Sequence, residues 1–140
     1  MVLTINKMYK FKVLIVDDDI HVRNIVKEML SLMDHSCHLA ADGAEALSKT
    51  DEERFDAVIT DVQMPRMDGI TLTRELHKRN PSLPVMVMTG FADIENSNKE
   101  ITNSKGVIIS KPFTAEEFFF SFNEMMRGSV SAASSSSVHM

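Results

Sequence analysis

Five short β-rich runs, Phe11–Val16, Ser36–Ala40, Phe55–Thr60, Pro84–Thr89 and Gly106–Ser110, constrain this chain more than any other feature. Four of them are mostly apolar without strict alternation, the pattern of parallel strands covered on both faces. Parallel strands need long crossovers, and the segments between the runs are long enough to be helices. The first connection is the clearest, with Val22, Ile25, Val26, Met29, Leu30 and Met33 on one stripe at helical spacing. Asp42 and Asp68, each followed by glycine and then by helix formers, are expected N-caps. Asn80-Pro81 ends the third helix, and Pro84 opens the fourth strand. Thr114 and Glu117 form a capping box for the last helix, whose core stripe would be Phe118, Phe119, Phe122, Met125 and Met126. Strand followed by helix, five times over, predicts one α/β sandwich with right-handed crossovers.

The chain has 140 residues, 44% hydrophobic and 25% charged, which fits one globular domain with a real core. Its expected organisation is a lead-in over residues 1–10, a folded domain over 11–127, and a tail over 128–140. That tail, GSVSAASSSSVHM, is Ser-rich without a periodic apolar face, so it reads as disordered or as a truncated linker. A net charge of −5 argues against nucleic-acid binding, which needs a basic surface. The single cysteine, Cys37, cannot form an internal disulfide, and no apolar run approaches the length that spans a bilayer. Lys7, Lys10 and Lys12 precede the apolar Val13–Val16 in faint resemblance to a signal peptide, but the run is too short and Asp17, Asp18 and Asp19 end it at once. A cytoplasmic protein without membrane contact is expected.

In open α/β sheets, ligands bind outside the carboxyl ends of the strands. The first run here ends in Asp17-Asp18-Asp19, the third in Asp61, the fourth in Thr89-Gly90 and the fifth in Lys111-Pro112. Carboxylates from two strand ends suit a hard divalent cation, most simply Mg²⁺, which also relieves their mutual repulsion. Lys111 can hold a phosphoryl oxygen as a point charge, and Thr89 can donate a hydrogen bond to another. With an aspartate nucleophile this is the inventory of phosphoryl transfer, and Asp61 is placed to become an aspartyl phosphate. Asp19 reads as a solvated neighbour or a helix cap rather than a ligand. His21, His35, His38 and His77 show no metal spacing, the methionines read as core fillers, and Cys37 reads as inert.

The elements LIVDDD, VITDVQMPRMDG, VMTG and SKPF resemble those of bacterial two-component response-regulator receiver domains, over about residues 11 to 127. The resemblance implies a flavodoxin-like, doubly wound five-stranded parallel sheet in the order 2-1-3-4-5 with five helices. It implies that Asp61 is phosphorylated by a sensor histidine kinase or a phosphotransfer protein. Asp17 and Asp18 match the acidic pair, with Asp18 favoured as the direct metal ligand, and Gln63 matches the position whose backbone carbonyl binds Mg²⁺. Thr89 matches the switch hydroxyl and Lys111 the lysine, whose bond to Pro112 is often cis in the family. The face between the fourth and fifth helices often forms dimers there, which makes a homodimer through it an expectation. A domain of this kind catalyses its own phosphorylation and slow dephosphorylation and is no conventional enzyme.

Three departures stand out. Ile108 occupies the position, three residues before the lysine, where the family usually carries a Tyr or Phe that swings inward on phosphorylation. The expected fourth helix, ADIENSNKEITNSKG, has only Ile94 and Ile101 as large apolar residues, which predicts a short, shifted or mobile element. Phe120 lies opposite the last helix's core stripe, either incidentally or as part of a partner or dimer surface. Two other functions stay open at this stage. One is an interaction module that kept the fold and lost the switch. The other is an aspartate-based phosphatase of the haloacid-dehalogenase type, although His21 fails its motif and no later acidic pair follows the lysine.

Overall fold

The computed structural model describes residues 9–90 and 106–138. Five strands alternate with helices along the chain. They are β1 (Lys12–Val16), α1 (Ile20–Leu32), β2 (Ser36–Ala40), α2 (Gly43–Glu52), β3 (Ala57–Asp61), α3 (Gly69–Arg79), β4 (Val85–Thr89), β5 (Gly106–Ser110) and the C-terminal helix α4 (Ala115–Val138). All pairings are parallel, and the sheet order is β2-β1-β3-β4-β5, as the resemblance implies. Four helices surround it among the described residues. The expected fourth crossover helix falls on the β4–β5 connection, which lies outside them.

The unbroken apolar runs are explained by two cores, one on each face. Alternation along the strands sends Val13, Ile15, Ala57, Ile59, Met86, Met88 and Ile109 to a cluster closed by Val26, Leu30 and Met33 of α1 and by Phe118, Phe122 and Met126 of α4. Leu14, Val16, Val58, Val85 and Val87 point the other way, onto Ala46 of α2 and onto Leu72 and Leu76 of α3. The helix starts follow the sequence closely. Asp19, Asp42 and Asp68 cap α1, α2 and α3, and Thr114 and Glu117 exchange both capping-box bonds, at 2.8 and 3.1 Å.

Three expectations need adjustment. Ile25, assigned to the α1 core stripe, is 51% exposed, because it sits at the margin of an arc centred on Val26 and Leu30. β3 begins at Ala57 rather than Phe55, since the Asp56 carboxylate takes the Lys12 amide at 2.8 Å ahead of the strand. The backbone of α4 continues helically past Gly128 to Val138, beyond the boundary expected for the folded part. Extending an established helix adds one hydrogen bond per residue, and neither alanine nor serine stops it as proline would.

His35 links the faces of one core in a way its sequence context did not signal. It is 5% exposed, its Nδ1 accepts the Phe11 amide at 3.1 Å, and its ring lies 5.2 Å from those of Phe11 and Phe122. Burial holds its pKa below the ordinary 6.5, opposed by the charges of Asp34 and Asp56. The folded state therefore resists a proton that the unfolded chain accepts. The stability this group contributes is complete above its unfolded pKa and is lost as pH falls through its lower folded value. Thermal melting is expected to show this as a smaller loss in His35→Gln than in the parent between about pH 7.5 and about pH 5.5. Equal losses in the two proteins would remove His35 as the cause.

Candidate functional site

The strand order reverses between β1 and β3, so a crevice opens outside their carboxyl ends. The register pairs Val16 with Thr60, which sets the next residues, Asp17 and Asp61, side by side. Asp17 is 1% exposed and Asp61 9%. With the exposed Asp18 they form a group whose ligand oxygens all lie within 4.8 Å of one another. Lys111 arrives from the other side: β5 pairs Ser110 with Thr89, and the Lys111 amide donates to the Thr89 carbonyl at 2.8 Å. Its Nζ then lies 3.0 Å from Asp61 Oδ1 and 3.9 Å from Asp17 Oδ2, with the Lys111-Pro112 bond cis.

Asp17 Oδ1 accepts the Asp19 amide at 2.9 Å, whereas Oδ2 is buried without a hydrogen bond among the described residues. Burial pushes the Asp17 carboxyl up to about 6. The charges of Asp61 and Asp18 act in the same direction, against the Asp19 amide and Lys111. An unbonded buried oxygen beside two further carboxylates fits a hard, oxygen-seeking divalent cation. The all-oxygen donor set gives no reason to expect a softer metal.

The remaining predicted residues occupy the same edge. Thr89 ends β4 fully buried, and its hydroxyl donates to the Gly90 carbonyl at 3.1 Å. Turning that hydroxyl toward Asp61 would require breaking this bond. Gly90 is exposed, and among the described residues a β-carbon there would meet nothing within 4 Å. Gln63 is exposed in the loop after β3. Ile108 is partly buried and packs against the α2–α3 core, on the face to which alternation also assigns Thr89. Phe120 is 62% exposed on α4, opposite the buried Phe118 and Phe122. Asp19 accepts the His21 amide at 2.8 Å as the cap of α1, the role its sequence position suggests.

Sequence reasoning passed over what holds the β3–α3 loop. Met67 packs so closely on Gly43 that a β-carbon there would come 2.7 Å from its Sδ. The Gly69 amide donates to the Val62 carbonyl at 2.8 Å, tying the start of α3 to the end of β3. The signal was the glycine of Met-Asp-Gly, readable in sequence only as the residue after a cap.

The sequence model of the response regulator receiver domain matches residues 13–122. The chain belongs to the response regulator receiver domain family. This receiver domain is 36% identical over 107 residues to the sensor protein EvgS of Escherichia coli, covering 76% of this chain and 9% of that protein. To the response regulator MprA of Mycolicibacterium vanbaalenii it is 34% identical over 116 residues, covering 83% of this chain and 50% of MprA. It thus spans half or less of the length of these relatives. Among solved structures it resembles a response regulator receiver domain protein from Clostridium thermocellum, with a TM-score of 0.78 at 26% identity, covering 84% of this chain and 95% of that one. It also resembles NtrX from Brucella abortus, with a TM-score of 0.85 at 27% identity, covering 92% of this chain and 29% of NtrX. The chain is therefore a receiver domain of the two-component response-regulator kind. Neither the phosphatase nor the interaction-only alternative gains support from these matches. Among the described residues no helix is long and apolar enough to cross a membrane.

Proposed function

We propose that this receiver domain accepts a phosphoryl group on Asp61 from the phosphohistidine of a sensor histidine kinase or a phosphotransfer protein. The observation that carries this reading is the pairing of nearly buried Asp61 with Lys111, at 3.0 Å, beside Asp17 and Asp18. A carboxylate oxygen of Asp61 forms the new P–O bond as the P–N bond to the donor imidazole breaks, and the imidazole leaves with its electron pair. Lys111 offers a fixed positive charge to one phosphoryl oxygen, giving up part of its pairing with Asp61 as it does so. Thr89 turns its hydroxyl from the Gly90 carbonyl to a second oxygen.

Asp17, Asp18 and Asp61, with the backbone carbonyl of Gln63, would hold Mg²⁺, with Asp18 favoured over Asp17 as a direct ligand. When bound, Mg²⁺ supplies neutralisation of the charge on the phosphoryl oxygens. Ile108 is the neighbour that responds to Thr89, by repacking against the α2–α3 core rather than by the swing of an aromatic ring. Phe120 belongs to the partner-facing surface, and a homodimer would form through the face between the expected fourth helix and the C-terminal helix. Water attack on the phosphoryl group resets the domain, which is not a conventional enzyme. A cytoplasmic setting accompanies this role.

The test is incubation with acetyl phosphate, with and without Mg²⁺, followed by intact-mass measurement. Gain of one phosphoryl group only with Mg²⁺ is the expected result; no gain by a folded protein that binds Mg²⁺ would overturn the reading. The raised pKa of Asp17 adds a pH dependence. Below about 6 its carboxyl carries a proton that the cation must displace. Mg²⁺ affinity, read by calorimetric titration, is therefore expected to fall roughly tenfold per pH unit below that value. Affinity unchanged between about pH 7 and about pH 5 would exclude Asp17 from the site.

A further inference from the structure

We infer that Thr60 and Gly69 are positioning residues for phosphoryl transfer, setting the Asp61 carboxylate through the Asp61 backbone carbonyl. The inference rests on the assignment of Asp61 as phosphoacceptor. Both residues act on one oxygen atom. The Thr60 hydroxyl is fully buried and donates to the Asp61 carbonyl at 3.0 Å. The same oxygen fills the space that a side chain at position 69 would need: a β-carbon there would come 2.1 Å from it, 2.9 Å from the Asp61 carbonyl carbon and 3.0 Å from Val62 Cα. These neighbours are backbone, so no rotamer change relieves the contact, and either α3 or the end of β3 would have to move.

The position of α3 is itself fixed. Gly69 donates to the Val62 carbonyl at 2.8 Å, its own carbonyl accepts the buried Thr73 hydroxyl at 2.7 Å, and Asp68 caps the helix through the Thr71 amide at 2.7 Å. The Asp61 carbonyl is therefore held between a donor on its own strand and a helix that cannot retreat. Rotating that peptide plane moves the Asp61 side chain, whose oxygen lies 3.0 Å from Lys111. Transfer needs the reacting atoms aligned, and a displacement of about 1 Å can slow such a reaction roughly a hundredfold.

Packing alone gives no reason for a hydroxyl at position 60. Its partners across the sheet are Val16 and Val87, both in the α2–α3 core, and the Met64 sulfur lies 4.0 Å from the hydroxyl. Valine has nearly the same shape and a higher strand propensity, so a purely structural position would accept it. This separates the two roles experimentally.

Thr60→Val and Thr60→Ser are compared with the unaltered protein for thermal melting and for the rate of phosphorylation by acetyl phosphate at saturating Mg²⁺. Thr60→Val is expected to melt at or above the parent temperature and yet be phosphorylated about ten- to a hundredfold more slowly. Thr60→Ser, which keeps the donor, is expected to restore the parent rate. Gly69→Ala is expected to be slowed as well, with a lower melting temperature. Phosphorylation of Thr60→Val at the parent rate, a Thr60→Ser variant as slow as Thr60→Val, or melting of Thr60→Val well below the parent would each overturn the inference. A parent protein that takes no phosphoryl group would instead remove the Asp61 assignment, and this inference with it.

Discussion

Phe122→Ala is expected to cost the fold about 3–5 kcal/mol, while Phe120→Ala, two residues away on the same helix, should stay within about 0.5 kcal/mol of the parent. The difference follows from where the helix turns each ring. Phe122 is fully buried, its ring 6.2 Å from that of Phe118, 6.4 Å from Phe11 and 5.2 Å from His35. Truncating it removes the burial of a large apolar side chain and leaves a cavity between α4 and the sheet that these neighbours can fill only in part. A domain of this size commonly has only about 5–15 kcal/mol of total stability, so denaturant unfolding should show a large fall in midpoint. Phe120 is mostly in water and forfeits little. Similar losses in the two variants would mean that the face α4 turns to the sheet is misassigned.

Lys111→Met should separate two properties that the proposed chemistry assigns to different groups. Phosphorylation by a small donor is expected to slow by about a hundredfold or more, since a fixed donor to the transferring group is lost. Mg²⁺ affinity at neutral pH should hold or rise, because the cation that competes for Asp61 at 3.0 Å and Asp17 at 3.9 Å is gone. The same loss lets the Asp17 carboxyl move further up, since Lys111 is one of the influences holding it down. The gain in affinity should therefore shrink as pH falls toward about 6. Loss of Mg²⁺ binding together with phosphorylation would make Lys111 a structural strut of the site.

Much of the site was legible because it depends on local rules. Apolar runs long enough to cross the sheet end at polar residues, so Asp17, Asp61, Thr89 and Lys111 could be assigned to one edge before any distance was known. The caps at Asp19, Asp42 and Asp68 and the capping box at Thr114 needed only spacing of a few residues. What stayed hidden depends on approaches between distant elements or on degree rather than kind. Ile25 obeys the helical period yet lies at the margin of the buried arc, a distinction that periodicity cannot resolve. The contact of Gly69 with the Asp61 carbonyl requires knowing how α3 meets β3, and Thr60 looks in sequence like an ordinary strand threonine. His35 acquires its role only when β1 and α4 bring Phe11 and Phe122 to its ring. The reach of α4 beyond Gly128 was masked by serines that signal a linker but still permit a helix.

Intact mass of Asp61→Asn beside the parent, each incubated with acetyl phosphate and Mg²⁺, tests the central assignment most directly. Asparagine keeps the size of the side chain and removes the nucleophilic oxygen pair, so folding should be preserved while the acceptor is lost. The account predicts one phosphoryl group on the parent, removable by hydroxylamine as an acyl phosphate is, and none on Asp61→Asn. A hydroxylamine-labile phosphoryl group of the same stoichiometry and rate on Asp61→Asn would place the acceptor elsewhere and contradict it.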